Sequence, residues 1–97
     1  MRIEYWSMVY YPEDPYMPIE LKSRRLRGHV YGNQNYKDGT IVLTEEIARV
    51  DKDVIITINN QQYSLGRPDP NYEKQYPHAK ERLLRLFAQH QTPPIQL

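Results

Sequence analysis

The stretch from Gly39 to Gly66 decides the fold of this chain. It reads Gly-Thr-Ile-Val-Leu-Thr-Glu-Glu-Ile-Ala-Arg-Val-Asp-Lys-Asp-Val-Ile-Ile-Thr-Ile-Asn-Asn-Gln-Gln-Tyr-Ser-Leu-Gly. Short runs of β-branched and apolar residues alternate with turn-forming residues, a pattern typical of strands. Asn59-Asn60 suits a tight hairpin because asparagine accepts the left-handed backbone. The pattern predicts a meander of consecutive antiparallel strands at 40–44, 47–51, 54–59 and 62–65.

Two further strands are predicted before the meander. Ile3–Tyr10 is rich in aromatic and β-branched residues, and alternation places Trp6 on one face with Met8 and Tyr10. We expect Trp6 to be a core anchor. Three prolines between Pro12 and Pro18 predict an extended loop. Leu26–Tyr31 then reads as a strand with Leu26, Gly28 and Val30 on one face and Arg27, His29 and Tyr31 on the other.

The C-terminal third has a helical pattern. Residues 70–76 are expected to form a short helical turn, and Pro77 fits the first turn of the main helix. Helical spacing then predicts one packing stripe, formed by Ala79, Leu83, Leu86, Phe87 and His90. The resulting fold class is mainly β or α+β: a small antiparallel, strongly bent sheet or SH3-like barrel of five to six strands, capped by one C-terminal helix. An open sheet with the helix across one face is the alternative.

Length and composition indicate one intracellular domain. Ninety-seven residues suit a single domain, here 1–90 with a loose tail at 91–97. The chain has no cysteine, which excludes disulfides and cysteine-rich zinc sites. No apolar run has the length of a signal-peptide core or a membrane span. We therefore expect a soluble, cytoplasmic protein without membrane association.

No residue pattern in the chain indicates catalysis or a cofactor. His29, His78 and His90 lack the helical spacing of metal ligands. The serines have no nucleophile-elbow context, and the glycines form neither a phosphate loop nor a dinucleotide fingerprint. Acidic pairs such as Glu45-Glu46 fall at expected turns. The prediction is a non-enzyme that uses no cofactor or metal.

The best functional candidate is a segment rich in cations and tyrosines, with no acid between residues 21 and 37. We call it the basic-aromatic segment: Lys22, Arg24, Arg25, Arg27, His29, Tyr31, Tyr36 and Lys37. Arginines with tyrosine anchors suit an acidic protein surface, and the same side chains suit the phosphates and bases of a single-stranded nucleic acid. The third interpretation is a solvated surface balanced by nearby acids.

Charge favours the protein partner over the nucleic acid. The net charge is +1 and the pI about 8.0, whereas dedicated nucleic-acid binders commonly exceed a pI of about 9. Small sheets also expose edges that suit strand addition or a homodimer. The prediction is a non-catalytic accessory or regulatory module that docks on a protein through the basic-aromatic segment, with single-stranded nucleic acid as the alternative partner.

Several short motifs also carry a resemblance. They are Gly28-His29-Val30-Tyr31-Gly32, Asp38-Gly39-Thr40, Tyr63-Ser64-Leu65-Gly66, and the run from Pro68 to Pro77 that continues through Ala79 to Leu84. Together they resemble a group of small uncharacterised bacterial proteins without known activity. The resemblance implies a cytoplasmic bacterial accessory protein and transfers no catalytic residue. The proline-rich loop at 12–18 is the part least expected to match.

Overall fold

Six strands and two α-helices follow one another along the chain, and the computed structural model describes residues 1–91. The strands are β1 Arg2–Tyr11, β2 Ser23–Tyr31, β3 Thr40–Leu43, β4 Ile47–Asp51, β5 Val54–Thr57 and β6 Gln62–Leu65. The helices are α1 Pro70–Gln75 and α2 Ala79–Gln91, and a 3₁₀ turn at Ile19–Leu21 follows the proline-rich loop. The predicted strands are therefore confirmed as elements, and every strand end lies within three residues of its predicted position.

All six strands form one mixed sheet in the order β3-β2-β1-β6-β5-β4. Neighbours pair antiparallel except β1 and β6, which run parallel, with Arg2 opposite Ser64 and Ile3 opposite Leu65. The N-terminal strand is thus inserted into the middle of the sheet. The prediction of a consecutive antiparallel meander was wrong at one link, because β3 and β4 form the two opposite edges.

The predicted bent sheet or SH3-like barrel was also wrong. No strand ladder joins β3 to β4 among the described residues, so the sheet is open, and it is not strongly curled. The reason is that β3 pairs with β2 and β4 with β5, which leaves one side of each unpaired. The broader prediction, mainly β or α+β with a C-terminal helix, is confirmed, and the open-sheet alternative describes the sheet better.

A bulge in β1 sets the orientation of the core. The backbone N–H groups of Tyr5 and Trp6 both donate to the carbonyl of Arg67, at 2.7 and 3.4 Å, and Tyr5 has a φ of 51°. The pairing with β2 shifts between Glu4 and Ser7. One extra residue reverses the alternation of a strand, so Ile3 and Trp6 both point into the core. Each is fully buried, which confirms Trp6 as a core anchor.

The helices follow the predicted stripe with one correction. Asp69 caps α1 by accepting hydrogen bonds from the N–H groups of Asn71 and Tyr72. Pro77 does not lie in the first turn of α2, because His78 adopts a φ of 60° and the helix begins at Ala79. Among the described side chains of α2, which contacts β4, Ala79, Leu83 and Phe87 are buried and Leu86 is partly buried.

Two predictions concern residues beyond this description. The side chain of His90 and the predicted tail after Gln91 lie outside the described residues. Among the helices that are described, none is long and apolar enough to cross a membrane.

Candidate functional site

The basic-aromatic segment is divided between several surfaces. Strand β2 places Arg25, Arg27, His29 and Tyr31 on the face opposite the core, which we call the outer face. Arg24 lies on the other side of β2, where its guanidinium carbon is 5.1 Å from the centre of the Phe87 ring. Lys22 precedes β2, and Tyr36 and Lys37 lie in the loop before β3. The structure therefore brings together four of the eight predicted residues.

Acidic side chains accompany the arginines of the outer face. Arg25 lies 3.6 Å from a carboxylate oxygen of Glu45, and Arg27 lies 3.4 Å from one of Glu13. Arg25 also covers the Tyr11 ring, 4.4 Å from its centre. These acids come from loops distant in sequence, so the local excess of cations is offset in space. This pattern supports the interpretation of a solvated, balanced surface.

On the outer face, the imidazole ring of His29 contacts a backbone carbonyl and an aromatic ring. Its Nδ1 lies 3.0 Å from the carbonyl oxygen of Gly39, and the Tyr5 ring meets it edge-on with the ring centres 6.0 Å apart. Within the part of the chain that the structure describes, no three His, Asp or Glu side chains are grouped to hold a metal ion.

A groove on the opposite side of the sheet has a more distinctive lining. It encloses about 540 Å³, a volume typical of ligand pockets, and lies between β1 and both helices. Three tyrosines, four apolar residues and two arginines line it: Tyr10, Tyr72, Tyr76, Met8, Ala79, Leu83, Leu86, Arg82 and Arg85. We call this the β1–helix groove. None of these described lining residues is acidic.

Helix α1 supplies the aromatic wall of the groove. Tyr72 and Tyr76 are one helical turn apart, with ring centres separated by 5.0 Å, and the Tyr72 ring lies 6.1 Å from that of buried Trp6. The Asp69 cap and the fixed φ of Pro70 determine where this short helix begins. The aromatic wall is thus anchored to the core through Trp6.

The surroundings of the groove favour the protonated, neutral form of Tyr72 and a negatively charged ligand. Burial raises the pKa of Tyr72, and Tyr76 and Tyr10 raise it further, while the Met8 backbone and Arg82 oppose the shift. Among the described residues, neither Arg82 nor Arg85 forms an ion pair. Two cations beside an acid-free aromatic surface are complementary to negative charge.

The edge of β1 along this groove offers backbone hydrogen-bonding groups. Leu26, directly opposite Met8, turns its N–H and C=O away from β1, because both bond to Thr44 at 3.0 and 2.8 Å. Opposite residues of an antiparallel pair face each other or both face away. The N–H and C=O of Met8, and those of Tyr10 two residues later, therefore point toward the groove. The C=O of Trp6, two residues before Met8, points to the same side, because it accepts a hydrogen bond from the Asp69 N–H at 2.8 Å.

Sequence reasoning missed this groove. It treated Tyr10 as a strand residue and residues 70–76 as a short helical turn, without placing them side by side. The i, i+4 spacing of Tyr72 and Tyr76 and the i, i+3 spacing of Arg82 and Arg85 were the available signals. Spacing shows that each pair shares a helix face, but only the docking of α1 beside β1 brings the two pairs together.

Comparison with protein-family models, with curated proteins and with solved structures found no match for this chain. The resemblance to a group of small bacterial proteins therefore stays a prediction, and the geometry of the groove and of the outer face carries the functional argument.

Proposed function

We propose that this chain is a non-catalytic interaction module, accessory or regulatory in role, that docks on a protein partner. The observation that carries the proposal is the β1–helix groove, where tyrosines, apolar side chains and arginines surround an open strand edge. Tyrosine and arginine are among the residue types most enriched at energetically important positions of protein interfaces. The groove is a better docking surface than the basic-aromatic segment, because no acid among its described lining residues offsets its arginines.

The chemistry of the lining supports a binding role. Among the described residues that line the groove, none is a histidine, serine or carboxylate that could act as a general base or nucleophile. Its polar side chains are phenols and guanidiniums, which serve mainly in contact and charge recognition. A surface with these groups suits association better than bond cleavage.

Single-stranded nucleic acid is the weaker candidate partner. Phosphate binding requires cations free to replace counterions. On the outer face, however, Arg25 and Arg27 each have a carboxylate within 4 Å, and Arg24 lies on the other side of the sheet. Binding of a protein or a nucleic acid by the predicted eight residues, a homodimer through a sheet edge, and a cytoplasmic location stay predictions.

A pull-down with two matched double variants tests the proposed function. One reverses the groove charges, Arg82→Glu with Arg85→Glu, and the other reverses the outer face, Arg25→Glu with Arg27→Glu. Both change the net charge by the same amount, and circular dichroism checks that both fold. We expect a specific protein to be retained by the wild type and the outer-face variant but lost by the groove variant. Loss only in the outer-face variant would return the docking surface to the basic-aromatic segment, and identical retention by all three would contradict a charged docking surface.

A further inference from the structure

We infer that the β1–helix groove binds an extended acidic segment of a partner protein, which adds to the sheet as a strand along the free edge of β1. This inference rests on the proposed docking function and specifies its form. Two independent features meet at one place: unpaired backbone groups on β1, and two arginines on α2. Strand addition uses the first for affinity and the second for selection.

The free edge runs from Met8 to Tyr11. Strand β6 and the residues after it accompany β1 only as far as Trp6, which bridges to Pro68 in parallel. Beyond that point the described residues make no backbone hydrogen bond to β1 on this side. The backbone N–H of Met8 lies beside the Tyr72 hydroxyl. The groups that remain available to pair with an added strand are therefore the C=O of Met8 and the N–H and C=O of Tyr10. Four residues of strand span about 13 Å, enough to pair with a short extended segment.

The groove side chains select what lies on this edge. Met8 and Tyr10 share a face of β1, so an added strand would place alternate side chains against the tyrosines and leucines of the helices. The rim arginines, Arg82 and Arg85, favour acidic side chains among them and disfavour basic ones. The expected ligand is therefore an extended segment that combines apolar or aromatic residues with acids.

Charge and sequence argue against two other occupants. A second copy of this chain paired edge to edge about a twofold axis would bring the same cationic rim from both copies to one interface, where like charges repel. The chain's own last residues, Thr92–Leu97, contain Pro93 and Pro94 and no acidic side chain. Proline lacks the N–H that a pairing strand must donate, and the segment offers no acidic side chain for the arginines.

The test uses the full-length protein and a phage-displayed library of random seven-residue peptides. Selection on the wild type, with counter-selection on the Arg82→Glu/Arg85→Glu variant, should enrich acidic peptides with alternating apolar residues. The enriched peptide is then synthesised unmodified and in two backbone N-methylated forms, one methylated at odd positions and the other at even positions. Successive residues of a strand direct their N–H groups to opposite edges, so only one form loses the hydrogen bonds to β1.

We expect one methylated form to bind about tenfold or more weakly and the other to bind nearly as well as the unmodified peptide, since each form leaves a different edge intact. Replacing the acids by lysine should weaken binding to a similar extent. If binding depends on the groove arginines but both methylated forms bind equally well, or equally poorly, strand addition is wrong and the docking function still stands. Failure to enrich any peptide that depends on the groove arginines would count against both.

The oligomeric state is measured on the same protein samples. Analytical ultracentrifugation of the unliganded wild type and of the groove variant should show the same monomeric species. A wild-type dimer that the Arg82→Glu/Arg85→Glu variant dissociates would assign the edge to a second copy and overturn the acidic-segment inference. Enrichment of basic peptides would overturn it as well.

Discussion

The close approach of β1 and β2 at Gly28 gives the sharpest stability prediction. A Cβ added there would lie 2.8 Å from Cγ1 of Ile3 and 2.9 Å from the backbone oxygen of Glu4. Ile3 is fully buried in the core and Glu4 begins the β1 bulge, so neither neighbour can move without repacking. Overpacking of this kind costs about 1–3 kcal/mol. Gly28→Ala should therefore lower the free energy of unfolding by about 2 kcal/mol.

Thermal unfolding followed by circular dichroism measures this effect. For a domain of this size, about 2 kcal/mol corresponds to a decrease in Tm of roughly 8–16 °C. Gly66→Ala is the comparison, because its added Cβ meets the end of a side chain and no backbone atom. The Glu4 carboxylate would have to shift, which weakens the hydrogen bond it accepts from the Arg67 N–H and its ion pair with Arg2 but leaves the strand backbone in place. The Gly66 variant should be the more stable of the two. If Gly28→Ala left Tm unchanged, or if Gly66→Ala were the more damaging, the reasoning about strand approach would be wrong.

Three further predictions concern the buried core, stability at alkaline pH and the aromatic wall of the groove. Trp6→Phe removes the indole donor to the Gly66 carbonyl, 3.0 Å away, and should lower the free energy of unfolding in urea by about 1–3 kcal/mol; an unchanged urea midpoint would contradict this. Burial raises the pKa values of Tyr63 and Tyr72, so the unfolded state loses these protons first. The titration of these two tyrosines should leave the free energy of unfolding unchanged below about pH 10 and lower it above that pH, less steeply in Tyr72→Phe, as urea titrations at several pH values will show. Asp69→Ala removes the α1 cap, so it should lower the free energy of unfolding by about 1 kcal/mol and weaken peptide binding to the groove. Asp69→Asn keeps an accepting oxygen and should retain most of the stability and most of the binding. Urea unfolding and the peptide-binding assay measure the two effects.

Outer-face and groove residues show why sequence alone could not assemble the site. Arg24, Arg25 and Arg27 are close in sequence, and the strand alternation that separates Arg24 from the other two was available from their numbering. The acids that accompany the outer pair, Glu13 and Glu45, come from distant loops and could not be placed in advance. Only their spatial arrangement reveals that this cationic segment has local partners.

Tyr10 illustrates the limit most clearly. Its membership of a strand and of a face with Trp6 follows from composition and alternation. That its N–H and C=O lie on a free edge depends on which strand is its neighbour, and the parallel contact with β6 ends before Tyr10 is reached. Non-local pairing of this kind is absent from any local pattern, so the β1–helix groove could not be predicted.

Local chemistry in the sequence determined the elements of this protein: the strands, the turns at Lys52 and Asn60, the buried Trp6, and the stripe of α2. These features depend on side-chain alternation, positive φ and helical spacing within a few residues. Tertiary structure alone decided that β1 lies between β2 and β6, that β3 and β4 become opposite edges, and that α1 walls a groove beside β1. The reason is that strand order and edge exposure depend on hydrogen bonds and packing between residues far apart in the chain.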